Sequence, residues 1–449
     1  MKNKKELKDS LVIGFALFAV FFGAGNLVFP PQIGLVSGEH IIPAVIGLAL
    51  SGILFPMLAV AAVSNMGDKI EDMTRHIHPN FHIAFLIVAL PGGIFGTLPR
   101  CAGVAYEIGV LGIFPELPPV SKWVFLIAFF AVSFLVASSK STVMDIIGKF
   151  ITPFLLICLL IIVALTFVDP LGTPKGGIVD NAFTNAFLTG VNTGDVGTGI
   201  MVGGIFMATI QEKGYRRGKE QKKMIFNIIV VAFIILFVIY GGLCYLGSTG
   251  TDLFAADTDS TVLLVGLVRK LAGYGGIVIL SLAIILACFT TAAGMIATMS
   301  DWVVMISKGK APYRLSALIM TIVIMLIAST GVSFVLKLSG PIFMLLFPMF
   351  VVLTIMGICK KLIPNDGAWK GAALMAVIVG IYNAYDVANA NGLISLRIST
   401  VDQLFMNIPL AEYGFAWLIP SILGGIVGAV IFKLMGKESV VDEIDQITA

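Results

Sequence analysis

Residues 21–31 read Phe21-Phe22-Gly23-Ala24-Gly25-Asn26-Leu27-Val28-Phe29-Pro30-Pro31, inside an apolar run that begins near residue 10. Glycine is the poorest helix former after proline, and here two glycines flank one alanine directly before an asparagine. A second stretch of the same character is Thr189-Gly190-Val191-Asn192-Thr193-Gly194-Asp195-Val196-Gly197-Thr198-Gly199. Its four glycines and one carboxylate do not suit an ordinary lipid-facing helix. A single glycine cluster would fit close packing between neighbouring helices just as well. Two clusters, each with polar side chains and in matching positions of two halves, mark the discontinuous helices of a transporter. At that depth irregular backbone is tolerated only where it faces protein or a water-filled cavity. Freed N–H groups at a break attract an anion, and freed carbonyls attract a cation. A solute with a carboxylate and an ammonium group complements both ends.

Working outward, the chain has 449 residues, of which 58% are hydrophobic and 12% charged. Soluble domains carry roughly 25% charged residues, so this composition identifies a polytopic membrane protein and excludes nucleic-acid binders and cytosolic enzymes. A crossing needs roughly 20 apolar residues. The segments that meet this are about 10–37, 41–65, 82–113, 121–138, 145–168, 182–211, 224–248, 262–306, 312–330, 333–360, 370–388 and 414–436. The fold class is therefore all-α, with about twelve transmembrane helices, and 262–271 is expected to form a separate short helix before the eighth crossing. The first segment is read as a span and not a cleaved leader, because apolar character resumes at Leu27. The two interruptions fall in spans 1 and 6. That spacing predicts a five-plus-five inverted repeat: residues 1–168, then 169–360, with 361–449 holding two appended spans and a polar, acidic tail.

Orientation follows the lysines and arginines. With the N-terminus inside, the inner segments hold Lys2, Lys4, Lys5, Lys8, Lys69, Arg75, Lys140, Lys213, Arg216, Arg217, Lys308, Lys310, Lys360, Lys361 and Lys437, among others, while the outer loops carry Asp169, Asp180, Asp252, Asp257 and Asp259. Both termini are thus expected in the cytoplasm. Trp123, Trp302, Trp369 and Trp417 fall near span ends, where interfacial tryptophans sit. The five cysteines are scattered in apolar segments with no disulfide framework or zinc spacing.

Span 8 contains Ala287-Cys288-Phe289-Thr290-Thr291-Ala292-Ala293-Gly294. Thr290 and Thr291 follow Ala287 by three and four residues, so the Ala287 carbonyl and two hydroxyls share one helix face. A neutral, oxygen-only cluster suits a hard monovalent cation, with sodium as the candidate. The competing reading is that the threonines merely bond back to their own helix.

The stretch "GFALFAVFFGAGNLVFPPQIG" closely resembles the branched-chain amino acid:cation symporters, the BrnQ-type carriers of bacteria. The resemblance runs over essentially the whole chain, including "LPRCAGVAYEIGV" and "TTAAGMIATMSDW". It implies a leucine-transporter-like fold of the amino acid–polyamine–organocation superfamily. It further implies import of L-leucine, L-isoleucine and L-valine across the bacterial cell membrane, driven by sodium. On it, Gly23, Ala24, Gly25 and Asn26 match the unwound segment, with Ala24 and Gly25 offering N–H groups to the substrate carboxylate. The Ala19 and Phe22 carbonyls would join Ala287, Thr290 and Thr291 around sodium. The substrate pocket would draw on Cys101, Ala105, Tyr106, Thr189, Asn192, Thr193, Gly194, Asp195, Ala292 and Met295. One departure is that no arginine follows Asn26-Leu27-Val28-Phe29-Pro30, where sodium-coupled neurotransmitter-type relatives carry an outer-gate arginine.

Arg100, Glu107 and Asp195 lie within spans. Intramembrane charge is costly, so each should face the interior with a partner. Seven residues separate Arg100 from Glu107, which puts them on one helix face. Asp195 is a candidate for the substrate ammonium group. Proton coupling through Asp195 or Glu107 is the rival to sodium. A non-transport membrane protein is the remaining alternative. Asn192-Thr193-Gly194-Asp195 lacks the first glycine of an intramembrane aspartyl protease motif, and no repeated filter or charge ring marks a channel.

Overall fold

The computed structural model describes residues 2–67, 69–138 and 143–440. Lys140 and the end of the acidic tail, 441–449, lie outside the described residues. All regular structure among the described residues is helical.

The first broken pair is α1 (Lys2–Phe21) and α2 (Ala24–Ser37). The second span comprises α3 (Ile41–Ala49) and α4 (Phe55–Met66), joined by a wide π turn at Leu50–Leu54, and the short α5 (Ile70–Thr74) follows. Next come α6 (Phe81–Gly92) and α7 (Leu98–Val104), with π turns on both sides of α7 at Gly93–Thr97 and Ala105–Val110. α8 (Val120–Ser138) and α9 (Val143–Val168) complete the first half. The second broken pair, α10 (Ala182–Val191) and α11 (Asp195–Glu212), bends by 47°. The chain continues through α12 (Lys219–Ser248), α13 (Ser260–Ile306), α14 (Tyr313–Ala328), α15 (Val332–Ile358), α16 (Asp366–Ala390), α17 (Ser399–Met406) and α18 (Leu418–Leu434). Inside α13 the expected division falls at Gly273, whose φ of 64° kinks the rod.

Side chains such as Asn181, Asp259 and Asn365 accept the first free N–H groups of α10, α13 and α16, which stops fraying at those ends. Ile422, Leu423, Ile426 and Val427 of α18 and Leu318, Ile319 and Ile322 of α14 point outward. An apolar exterior of that kind is stable only against lipid. Seven helices of the described residues are long and apolar enough to cross a bilayer, or eight with the bent pair counted as one span.

Helices close through small residues. A Cβ at Gly34 of α2 would lie 1.8 Å from the Cys244 carbonyl oxygen, and one at Gly247 of α12 would lie 2.0 Å from that of Pro31. α2 therefore lies backbone to backbone on α12, and α1 also leans on α12. α10 packs on α3, α11 on α4, and α16 on both α15 and α18. Two apolar clusters result. One includes Phe22, Ala24, Leu27, Cys101 and Cys288. The other includes Phe187, Val191, Val196, Phe347 and Trp417. Trp369 and Trp417, at the starts of α16 and α18, are buried against protein: Trp369 stacks on His76 at 5.0 Å and Trp417 meets Phe347 edge-on.

Candidate functional site

At the first break, Phe22 and Gly23 leave the helical path. The Phe22 N–H still donates to the Phe18 carbonyl at 2.8 Å, but Gly23 is extended, with φ −110° and ψ −173°, and α2 starts afresh at Ala24. At the second break, α10 winds down through tight turns. The Asn192 N–H donates to Thr189, Thr193 to Gly190, and Gly194 to Val191, each at 3.1 Å. Gly194 then takes a left-handed φ of 78°, which a side chain would resist, and α11 begins at Asp195. The Asp195 N–H donates to the Thr193 hydroxyl at 3.3 Å, and that hydroxyl donates to the Gly190 carbonyl at 2.9 Å.

The structure joins the two breaks directly. Asn26 Nδ2 donates to Asp195 Oδ2 at 2.6 Å and to the Phe21 carbonyl at 2.8 Å, and it also meets the Tyr240 hydroxyl of α12. Asn26, Asp195 and Tyr240 are all buried. One amide thus caps the end of α1, touches the start of α11 and ties the first apolar cluster to the second.

Arg100, on α7, supplies a second tie. Its NH1 donates to the Asn192 carbonyl at 2.8 Å and its NH2 to the Thr193 carbonyl at 3.2 Å. The guanidinium lies against Gly25, where an added Cβ would come within 2.9 Å of Arg100 Cζ. The rings of Phe29 and Phe343 stand 5.4 and 5.8 Å from it, near enough for cation–π attraction. Arg100 and Glu107 do not pair. The π turn at Ala105–Val110 intervenes, and Glu107 instead accepts the Val332 N–H at 3.1 Å and the Thr261 hydroxyl at 3.0 Å.

The remaining residues divide. The buried thiols of Cys101 and Cys288 adjoin one another beside Ala24, which brings α7 and α13 to the first break. Ala105, in the π turn that follows α7, and Ala287 and Ala292 of α13 are buried. Tyr106 turns the other way: its hydroxyl meets Ser121 at 2.7 Å and its ring lies beside Phe125. Met295 faces the π turn of the third span, its Cε 3.5 Å from where a Gly93 Cβ would stand. The Thr290 hydroxyl donates to the Ala287 carbonyl at 2.9 Å, the bond back to its own helix that the competing reading expects, while its oxygen lone pairs stay available. α13 packs on α2, whereas the helix carrying Ala19 packs on α12, α9 and α11.

Sequence reasoning missed Phe343, Tyr240 and the partners of Arg100. Phe343 of α15 covers the second break: a Gly194 Cβ would lie 2.6 Å from its ring. The cavity beside Thr193, Gly194, Asp195 and Phe343 is about 10 Å³, room for about one water. In this state the two breaks are closed on each other.

The family described as "Branched-chain amino acid transport protein" matches residues 6–435. The chain is 29% identical to the branched-chain amino acid permease BrnQ of Bacillus subtilis, covering 98% of this chain and 100% of that protein. It is equally 29% identical to the branched-chain amino acid transport system 2 carrier protein of Pseudomonas aeruginosa, covering 96% and 97%. Among solved structures, a manganese transporter of Eremococcus coleocola superposes with a TM-score of 0.60 over 96% of each chain at 13% identity, a likeness of fold alone.

Proposed function

The chain belongs to the branched-chain amino acid transport family, and from that membership we propose that it imports leucine, isoleucine and valine by sodium-coupled symport with alternating access. The observation that carries this reading is the meeting of the two helix breaks, joined at 2.6 Å by Asn26 and Asp195. Backbone and side-chain groups of both signs converge there, inside the bundle and shielded from lipid. The amino acid would lie between the breaks. The Ala24 and Gly25 N–H groups would face its carboxylate, and Asp195 would face its ammonium group. Sodium, as co-substrate, would take the oxygens of Ala19, Phe22, Ala287, Thr290 and Thr291. This set would assemble when the inner end of the first span closes on α13. Twelve crossings in two inverted sets of five, 1–168 and 169–360, followed by 361–449, with both termini in the cytoplasm of a bacterial cell, complete the reading.

Uptake of labelled leucine into proteoliposomes of the purified protein tests it. An inward sodium gradient is expected to drive accumulation, with isoleucine and valine competing. Thr290→Ala combined with Thr291→Ala is expected to bind leucine without response to sodium. The buried Asp195 carboxylate beside Asn26 and Tyr240 favours a second reading, proton coupling. Uptake that ignores sodium and collapses with the pH gradient would establish that reading and overturn the first.

A further inference from the structure

Arg100 is 2% exposed and Asp195 7% exposed, and they engage the second break on the residues before and after Gly194: Arg100 bonds the Asn192 and Thr193 carbonyls, and Asp195 follows the glycine. The two attract each other at longer range but do not touch. Arg100 commits one N–H of each terminal nitrogen to the Asn192 and Thr193 carbonyls, and its Nε–H has no partner. Asp195 commits Oδ2 to Asn26. Among the described residues no carboxylate stands at ion-pair distance from Arg100, and no cation stands so near Asp195. A guanidinium buried in the low-dielectric interior of a membrane protein is costly unless an anion accompanies it. Carbonyl dipoles and aromatic faces offset part of that cost and not all of it. Two opposite charges, each pinned by hydrogen bonds and separated by a glycine turn, form a fixed dipole that a zwitterion would complete.

We propose that Arg100 and Asp195 are the charge pair that grips the substrate zwitterion, Arg100 taking its carboxylate and Asp195 its ammonium group. This rests on the reading of the chain as an amino acid carrier, and it assigns the recognition of the common backbone to two named side chains. Gly25 is part of the device. Lacking a side chain, it lets the guanidinium lie against the first turn of α2, so that Arg100 and the positive end of that helix act on one carboxylate. Arg100 holds the end of α10 by the same fork, so a substrate carboxylate drawing on the guanidinium also tugs on the Asn192 and Thr193 carbonyls. Recognition of the ligand and movement of the second break are then one event.

The test separates the two charges with half-ligands. Binding of leucine, 3-methylbutylamine, which lacks the carboxylate, and 4-methylpentanoate, which lacks the ammonium group, is measured on the full-length protein in nanodiscs. Arg100→Gln is expected to weaken leucine roughly 10- to 100-fold, the span for losing a hydrogen bond to a charged partner, while the amine changes less than about threefold. Asp195→Asn is expected to weaken leucine and the amine and to spare the acid. If Arg100→Gln weakens leucine and the amine alike, the guanidinium only holds α10 in place and the proposal is overturned. Unchanged leucine affinity overturns it equally. Should that variant not fold, Arg100→Lys decides on the same ratio, since an ammonium cannot span both carbonyls and a carboxylate: an unaltered preference for leucine over the amine sinks the assignment. Wild-type protein that binds no leucine at all would instead sink the carrier reading beneath it.

Discussion

Gly194 combines two constraints that alanine cannot meet. Its φ is 78°, and a Cβ would lie 2.6 Å from the Phe343 ring. The left-handed conformation costs a residue with a side chain roughly 1–2 kcal/mol, and the ring contact adds to it. Gly194→Ala is therefore expected to lower the thermal midpoint of the detergent-solubilised protein. Gly194→Ala with Phe343→Ala should lose less than the sum of the single changes, because removing the ring relieves the collision and leaves only the backbone strain. Strict additivity would show that Phe343 does not sit on the break. Asn26 and Asp195 were legible in the sequence because a polar side chain in an apolar run must find a partner. Arg100 was legible as a buried charge, but its partners are main-chain carbonyls, freed only once the second helix has broken, and no residue type records them. Phe343 left no signal, since a phenylalanine in an apolar helix looks like any other core residue. Tyr106 carried no reliable facing, because the wide turns at Gly93–Thr97 and Ala105–Val110 rotate the third span away from a 3.6-residue count.

Among elements, the interruptions themselves were the most readable feature, because glycine density acts locally on helix stability. Helix partners were not, since contacts between spans depend on shape across long sequence separations. The α16–α18 crossing is a case in point. Gly367 and Gly371 on one helix and Gly424 and Gly428 on the other approach so closely that a Cβ at Gly371 would lie 1.9 Å from the Gly424 carbonyl oxygen, and one at Gly428 would lie 2.2 Å from that of Gly367. Both pairs are four residues apart, the small-residue spacing that lets membrane helices touch along their backbones. Gly371→Leu is expected to force the helices apart and to reduce the yield and thermal midpoint of the folded protein. Neither helix carries a residue of the two breaks, so the surviving folded fraction should bind leucine with unchanged affinity. A fall in affinity at full stability would place this pair in the transport machinery instead.

For the whole molecule, the proposed transport requires that the N-terminal end of the first span be held and released. Asp9 of α1 accepts from the Tyr215 hydroxyl at 2.8 Å and from Lys213 at 3.3 Å, while Glu6 pairs with Lys223 at 2.6 Å. These contacts fasten α1 to the loop after α11 and to α12, so the N-terminal half of one broken helix is latched to the second. Burial pushes the Asp9 carboxyl up, but its bonds to Tyr215 and Lys213 outweigh that and hold it below the usual carboxylate value. Burial and the neighbouring Asp9 push the Tyr215 hydroxyl up to about 12. A depressed carboxyl contributes stability that is lost only as pH falls through its lowered pKa, and a raised hydroxyl contributes stability that is lost only as pH rises through its raised one. The latch is therefore intact from roughly pH 5 to pH 9. Tyr215→Phe should loosen it at every pH in that window. The buried thiols of Cys101 and Cys288, which stand beside the first break, report the opening: a small maleimide should label them faster in Tyr215→Phe than in wild type, and leucine should slow the reaction in both. If wild-type labelling, normalised at each pH to that of a free thiol, still rises steeply between pH 6 and 8, a titrating group other than Asp9 and Tyr215 governs the opening, and the buried carboxylate at the breaks becomes the first place to look for it.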